Sequence, residues 1–144
     1  MILPDVNTLV YAYRREADHH DDYAAWLAGI VDGGDELGLV DHCLTGVIRI
    51  VTNPRIVADP APTTHALAFV ERLRGARRAR RLSSTAATWA TLASMIADDP
   101  GIRANLVPDA YLASLAITHR CRLATADRGF GRFAALDYFD PVGG

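Results

Sequence analysis

Short apolar runs alternating with amphipathic helical stretches predict an α/β fold, a central parallel sheet flanked by helices. Three observations carry this. The strand-like runs MIL, LGLV and LAT are separated by helical segments, so neighbouring strands are joined by crossovers and not by hairpins. The chain has 144 residues, the size of one domain (residues 1–144) around one core. Half of them are hydrophobic, enough to fill that core without disulfides.

Taken in order, Met1, Ile2 and Leu3 start a short buried strand, and Pro4, which lacks a ladder donor, marks its end. Leu9, Val10, Tyr11 and Tyr13 resume at helical spacing. Asp18 to Gly29 reads as a second helix, with Tyr23, Trp26 and Leu27 as its apolar stripe and Gly29 as its stop. Gly33 and Gly34 turn the chain into a strand of Leu37, Leu39 and Val40. From about Cys43 to Val51, the residues Leu44, Val47, Ile48 and Val51 share one helical face, closed by Asn53 and Pro54. Thr63 or Thr64 caps the helix HALAFVERLRG, and a strand is expected at Arg81–Ser83. Ser84 or Thr85 caps AATWATLASMIAD. NLVPDAYLASLAITHRC forms a helix with Pro108 in its first turn, where a missing N–H costs nothing. Leu123, Ala124 and Thr125 make a strand running into Asp127; FGRFAAL is a short helical turn, and Tyr138 and Phe139 a last strand.

Composition excludes several classes. No apolar stretch approaches the roughly 18 residues of a membrane span. The first residues lack the basic region and long apolar run of a signal peptide, so a cytoplasmic protein is expected. Two distant cysteines, Cys43 and Cys121, form neither a disulfide framework nor a zinc spacing and read as small core residues. The net charge of −2 excludes a basic nucleic-acid coat. All 15 cations are arginine. Without lysine there is no Walker-type phosphate loop, no Schiff base and no lysine-assisted aspartyl-phosphate, although DVNT faintly echoes the last.

Three acids stand out by position. Asp5 follows MIL, Asp127 follows LATA, and Asp109 opens YLASLAI. Each alone reads as a cap or a turn residue. Together they lie at the same kind of junction, the carboxyl edge of a parallel sheet, where ligands gather. Clustered carboxylates repel unless a cation intervenes. Mg2+ or Mn2+, hard ions that prefer oxygen ligands, supply that compensation and activate water for attack on phosphorus. Asn7 and Thr125 are the candidate donors that hold the acids.

The segments DVNTLVYAYR, VIRIVTNPR, NLVPDAYLASLA and LATADRGFGRF, in this order over nearly the whole chain, resemble the PIN-domain ribonucleases, and more closely the VapC toxins of type II toxin–antitoxin systems. The resemblance implies a single α/β domain and a Mg2+- or Mn2+-dependent endoribonuclease. Its substrate would be tRNA or ribosomal RNA, its inhibitor a small cognate antitoxin, and its assembly a homodimer. It also implies that Asp5, Asp109 and Asp127 are the metal ligands and catalytic acids, with Thr125 the hydroxyl before the last acid and Asn7 and Thr8 the small polar pair after the first.

The chain departs from the family at one helix. Gly46, in TGVIR, stands where the family carries glutamate, and Gly129 where some relatives have a further acid. Asp41, expected just before that helix, is the nearest upstream acid. The departure keeps a second expectation open: a PIN-like module that binds RNA or an antitoxin without cutting. Arg128 and Arg132, beside Asp127, are expected to grip the scissile phosphate. Arg72, Arg74, Arg77, Arg78, Arg80 and Arg81 form either an RNA-phosphate track or a solvated helix end. His19 and His20 read as the polar first turn of a helix, and Trp26 and Trp89 as core or interface.

Overall fold

The computed structural model describes residues 1–143. Five short strands, β1 (Ile2–Pro4), β2 (Leu37–Leu39), β3 (Ala79–Arg81), β4 (Arg122–Ala124) and β5 (Tyr138–Phe139), form one sheet in the order β3-β2-β1-β4-β5, and every pairing is parallel. Six helices connect and cover it: α1 (Val6–Tyr13), α2 (His20–Val31), α3 (Asp41–Val51), α4 (Thr63–Arg74), α5 (Ala86–Asp98) and α6 (Leu106–Thr118), with a 3-10 turn at Arg128–Arg132. This is the α/β architecture the alternation predicts.

The strand order determines where chemistry can sit. From β1 the chain builds outward to β2 and β3, then returns to place β4 and β5 on the other side. The crevice between the carboxyl ends of β1 and β4 is therefore the switch point of the sheet. The register Ile2↔Arg122, Leu3↔Leu123, Pro4↔Ala124 makes Asp5 and Thr125 the next residues of the two adjacent strands. Pro4 is accommodated because the ladder is ending there.

Two apolar clusters bury the two faces. Leu9, Leu27, Val47, Ala66 and Val70 join α1–α4 to one face, while Ala113, Leu115, Leu123 and Phe130 join α5, α6 and the 3-10 turn to the other. Cys43 and Cys121 are buried free thiols within these clusters, and burial, with the Asp5 charge behind it, pushes the Cys43 thiol up to about 12. Thr85 caps α5 through a reciprocal bond pair with Thr88, as its spacing from the apolar run implies.

Several boundaries differ from expectation. Helix α2 runs past Gly29 to Val31, because Ile30 still has a core position to fill. Helix α3 starts at Asp41, not near Cys43, so this acid is the first helical residue, where its charge suits the helix dipole. Strand β3 lies at Ala79–Arg81, two residues before the expected Arg81–Ser83, drawn there by pairing with Leu37–Leu39. Trp26 is half-buried, with its ring against Phe139 at 6.3 Å, but Trp89 is 60% exposed and no part of the core.

Candidate functional site

The site grows from the β1–α1 junction. Asp5 leaves β1, caps α1 and is 6% exposed. Its Oδ1 accepts from the Thr8 amide at 2.9 Å and lies 2.7 Å from the Thr8 hydroxyl; its Oδ2 accepts a short bond from the Thr125 hydroxyl. Thr125 in turn accepts from the Asp127 amide at 3.1 Å. A hydrogen-bonded chain thus links the first acid, the end of β4 and the last acid. Asp127 is exposed and caps the 3-10 turn, accepting from the Gly129 amide at 2.8 Å. Asp109 stands half-buried in the first turn of α6.

The three acids feel one another. Burial raises the Asp5 carboxyl above the usual carboxylate range; donors from Thr125 and Thr8 oppose this, and the Asp127 charge adds to it. Burial also raises Asp109, followed by the charges of Asp127 and Asp5. Among the described residues, no arginine or histidine forms an ion pair with any of the three. Equally, no three acids, histidines or cysteines among them lie close enough to hold a metal ion as the side chains stand. The arrangement is an all-oxygen donor set with unrelieved negative charge. Oxygen donors of that charge are the kind a hard divalent cation prefers.

The other candidates separate. Asn7 is exposed and makes no hydrogen bond to these acids among the described residues; Thr8, fully buried, holds Asp5 in its place. Either of the two amides could have met an N-cap side chain, and here Asp5 takes the one three residues on, that of Thr8. Arg132 pairs with Asp99 at 2.9 Å on the exposed surface. Arg128 is exposed; it lies near Asp140, at the end of β5, and forms no ion pair among the described residues. Gly46 faces α1, where an added Cβ would stand 3.1 Å from Val6 Cγ2. Asp41, the nearest upstream acid, pairs with Arg81 at 2.6 Å.

The arginine-rich segment is only partly paired: three acids meet four of its six arginines, so it keeps a net positive charge. Arg74 pairs with Glu71, Arg78 and Arg80 with Glu36, Arg81 with Asp41, and Arg72 lies over the Phe69 ring. These pairs are on the exposed surface, and Arg77 has no acidic partner among the described residues. His20 bonds the Tyr11 carbonyl at 2.9 Å and His19 lies 3.7 Å from Asp22, consistent with a polar helix start.

Comparison with known proteins decides the family. The PIN domain model matches residues 2–136. The chain belongs to the PIN-domain family. VapC ribonuclease Mb2897 of Mycobacterium bovis and ribonuclease VapC43 of Mycobacterium tuberculosis are each 36% identical to it over 144 residues, all of this chain and 97% of theirs. Ribonuclease VapC25 of M. tuberculosis is 30% identical over 98% of this chain and 99% of its own. The PIN fold is also that of VapBC2 from Rickettsia felis, solved bound to a promoter DNA fragment, with TM-score 0.70 at 18% identity over 97% of this chain and 98% of that one. FitAcB from Neisseria gonorrhoeae superposes with TM-score 0.64 at 22% identity, covering 98% of both chains. PIN-domain ribonucleases depend on divalent metal, in keeping with the donor set at the β1–β4 crevice of this PIN domain.

Proposed function

We propose that this PIN domain is the toxin of a type II toxin–antitoxin system, an endoribonuclease that hydrolyses RNA phosphodiester bonds with Mg2+ or Mn2+. The reading is supported by the mutual effect of three acids: Asp127 and Asp5 raise the Asp109 carboxyl, Asp127 raises Asp5, and none of the three has an ion-pair partner among the described residues. These three would hold the ion. When bound, it supplies Lewis acidity to the phosphoryl group and makes water a competent nucleophile near neutral pH.

The protein's own residues do the rest. Thr125 and Thr8 keep the Asp5 carboxylate fixed, so its orientation is set before substrate arrives. Arg128, one residue from Asp127, contacts the RNA backbone. No side chain is used as a covalent nucleophile; attack in line leaves a 5′-phosphate and a 3′-hydroxyl. The substrate is a structured RNA such as tRNA or ribosomal RNA. A small cognate antitoxin neutralises the acidic crevice, the active form is a homodimer, and the compartment is the cytoplasm. Among the described residues, no helix is long and apolar enough to cross a membrane.

Gly46 supports a second reading, a PIN module that binds RNA or antitoxin without cutting. One experiment separates them: antitoxin-free protein is incubated with a tRNA and ribosomal RNA pool in Mg2+, in Mn2+ and in EDTA. Cuts that require metal support the nuclease. A folded protein that binds the pool but cuts nothing under any condition supports the binding module.

A further inference from the structure

We propose that Thr8 is a positioning residue, which rests on the metal-dependent reading above: it occupies Oδ1 of Asp5, leaving Oδ2 as the oxygen that meets a divalent cation. Thr8 is the third residue of α1 and fully buried. Its amide already serves the helix end, donating to Asp5 Oδ1 at 2.9 Å, and any residue here would do the same. The hydroxyl is additional. It lies 2.7 Å from Asp5 Oδ1 and 2.9 Å from the Ala124 carbonyl oxygen, and carries one proton for two acceptors.

The Ala124 carbonyl has another donor, the Asp5 amide at 3.0 Å. The carboxylate oxygen is the nearer acceptor, at 2.7 Å against 2.9 Å, and the charged one, so the Thr8 proton goes to it. Oδ1 then receives two donors from Thr8, and Oδ2 one, from Thr125. A carboxylate accepts about four hydrogen bonds over its two oxygens. Oδ1 is full, and the vacancy is on Oδ2. The Asp5 amide itself holds Asp5 to β4 through Ala124, the strand that leads into Asp127. A hydroxyl at position 8 thus selects the ligand oxygen on an acid whose backbone is already fixed.

The test measures Mn2+ binding to the RNA-free protein by electron paramagnetic resonance, for wild type, Thr8→Val, Thr8→Ser and Asp109→Asn. Loss of a group that orients a ligand typically weakens metal binding by about 10- to 100-fold, and that loss is expected for Thr8→Val, which keeps the shape and the amide. Thr8→Ser, which keeps the hydroxyl, binds as wild type does. Equal or tighter binding by Thr8→Val overturns the proposal, as does an equal loss in Thr8→Ser. If Thr8→Val melts at a lower temperature, the rise in its Tm on adding Mn2+ gives the same comparison. Wild type that binds no Mn2+, indistinguishable from Asp109→Asn, overturns the metal-dependent reading itself. Binding that falls in Asp109→Asn but not in Thr8→Val overturns only the role of Thr8.

Discussion

Replacing Thr125 by valine removes the donor to Asp5 Oδ2 while keeping the side chain's shape. Thr125 is 1% exposed, so water does not replace the hydroxyl at the carboxylate. The Asp127 amide, which also loses its acceptor, belongs to an exposed residue and is resolvated at little cost. The dominant loss is one hydrogen bond to a buried charge, about 2 kcal/mol. With an unfolding entropy of roughly 2.1 cal/mol/K per residue, a chain of 144 residues loses about 7 °C in Tm for that amount. The Thr125 donor lowers the Asp5 carboxyl, so its removal raises that group further. The destabilisation is accordingly largest at neutral pH and shrinks in acid, where Asp5 is protonated and the lost bond matters less. Differential scanning calorimetry of wild type, Thr125→Val and Thr125→Ser measures this. The reasoning fails if Thr125→Val melts with wild type, or if Thr125→Ser falls as far as Thr125→Val.

Asp5 and Asp109 both bind a proton more tightly in the folded state, so the stability they contribute is present below about 3.8 and is lost as pH rises through their raised values. Urea titrations should therefore show Asp5→Asn and Asp109→Asn gaining stability relative to wild type between acid and neutral pH; a constant difference contradicts the raised values. Gly46→Ala should change stability little, because a helix gain of about 1 kcal/mol is offset by the methyl meeting Val6 Cγ2 at 3.1 Å. In a Val6→Ala background the gain should appear, and the coupling in the double-mutant cycle measures how far Val6 resists a side chain at 46. Arg128→Ala should weaken RNA binding in EDTA and reduce the salt slope by about one unit, whereas Arg132→Ala, which breaks only an exposed pair with Asp99, should leave it unchanged.

Much of this molecule is legible in order and little of it in partnership. The strand and helix sequence follows from periodicity and caps, because Leu3, Val47 or Leu123 must be buried wherever the sheet forms. The position of the three acids follows from the same pattern, since each ends or begins an apolar element. What local sequence does not contain is who meets whom. Arg132 finds Asp99 across 33 residues and Arg81 finds Asp41 across 40, so an arginine near an acid in sequence was no guide to its target. The acids that meet the arginine run are likewise remote in sequence: Glu36 and Asp41 arrive from elsewhere in the fold. Thr8 against Asn7 is a similar case: a cap carboxylate can take either amide, and the buried hydroxyl of Thr8 meets Asp5 only because the fold packs it against β4.

The most direct test of the central claim, that three carboxylates suffice for metal-dependent RNA cleavage without an acid at position 46, is the cleavage rate of Asp5→Asn, Asp109→Asn and Asp127→Asn beside wild type in Mn2+, each first shown to be folded by circular dichroism. Cleavage by wild type that disappears in all three variants is the expected result. Undiminished cleavage by any one of them would contradict the account, because that carboxylate would then be a cap and not a ligand.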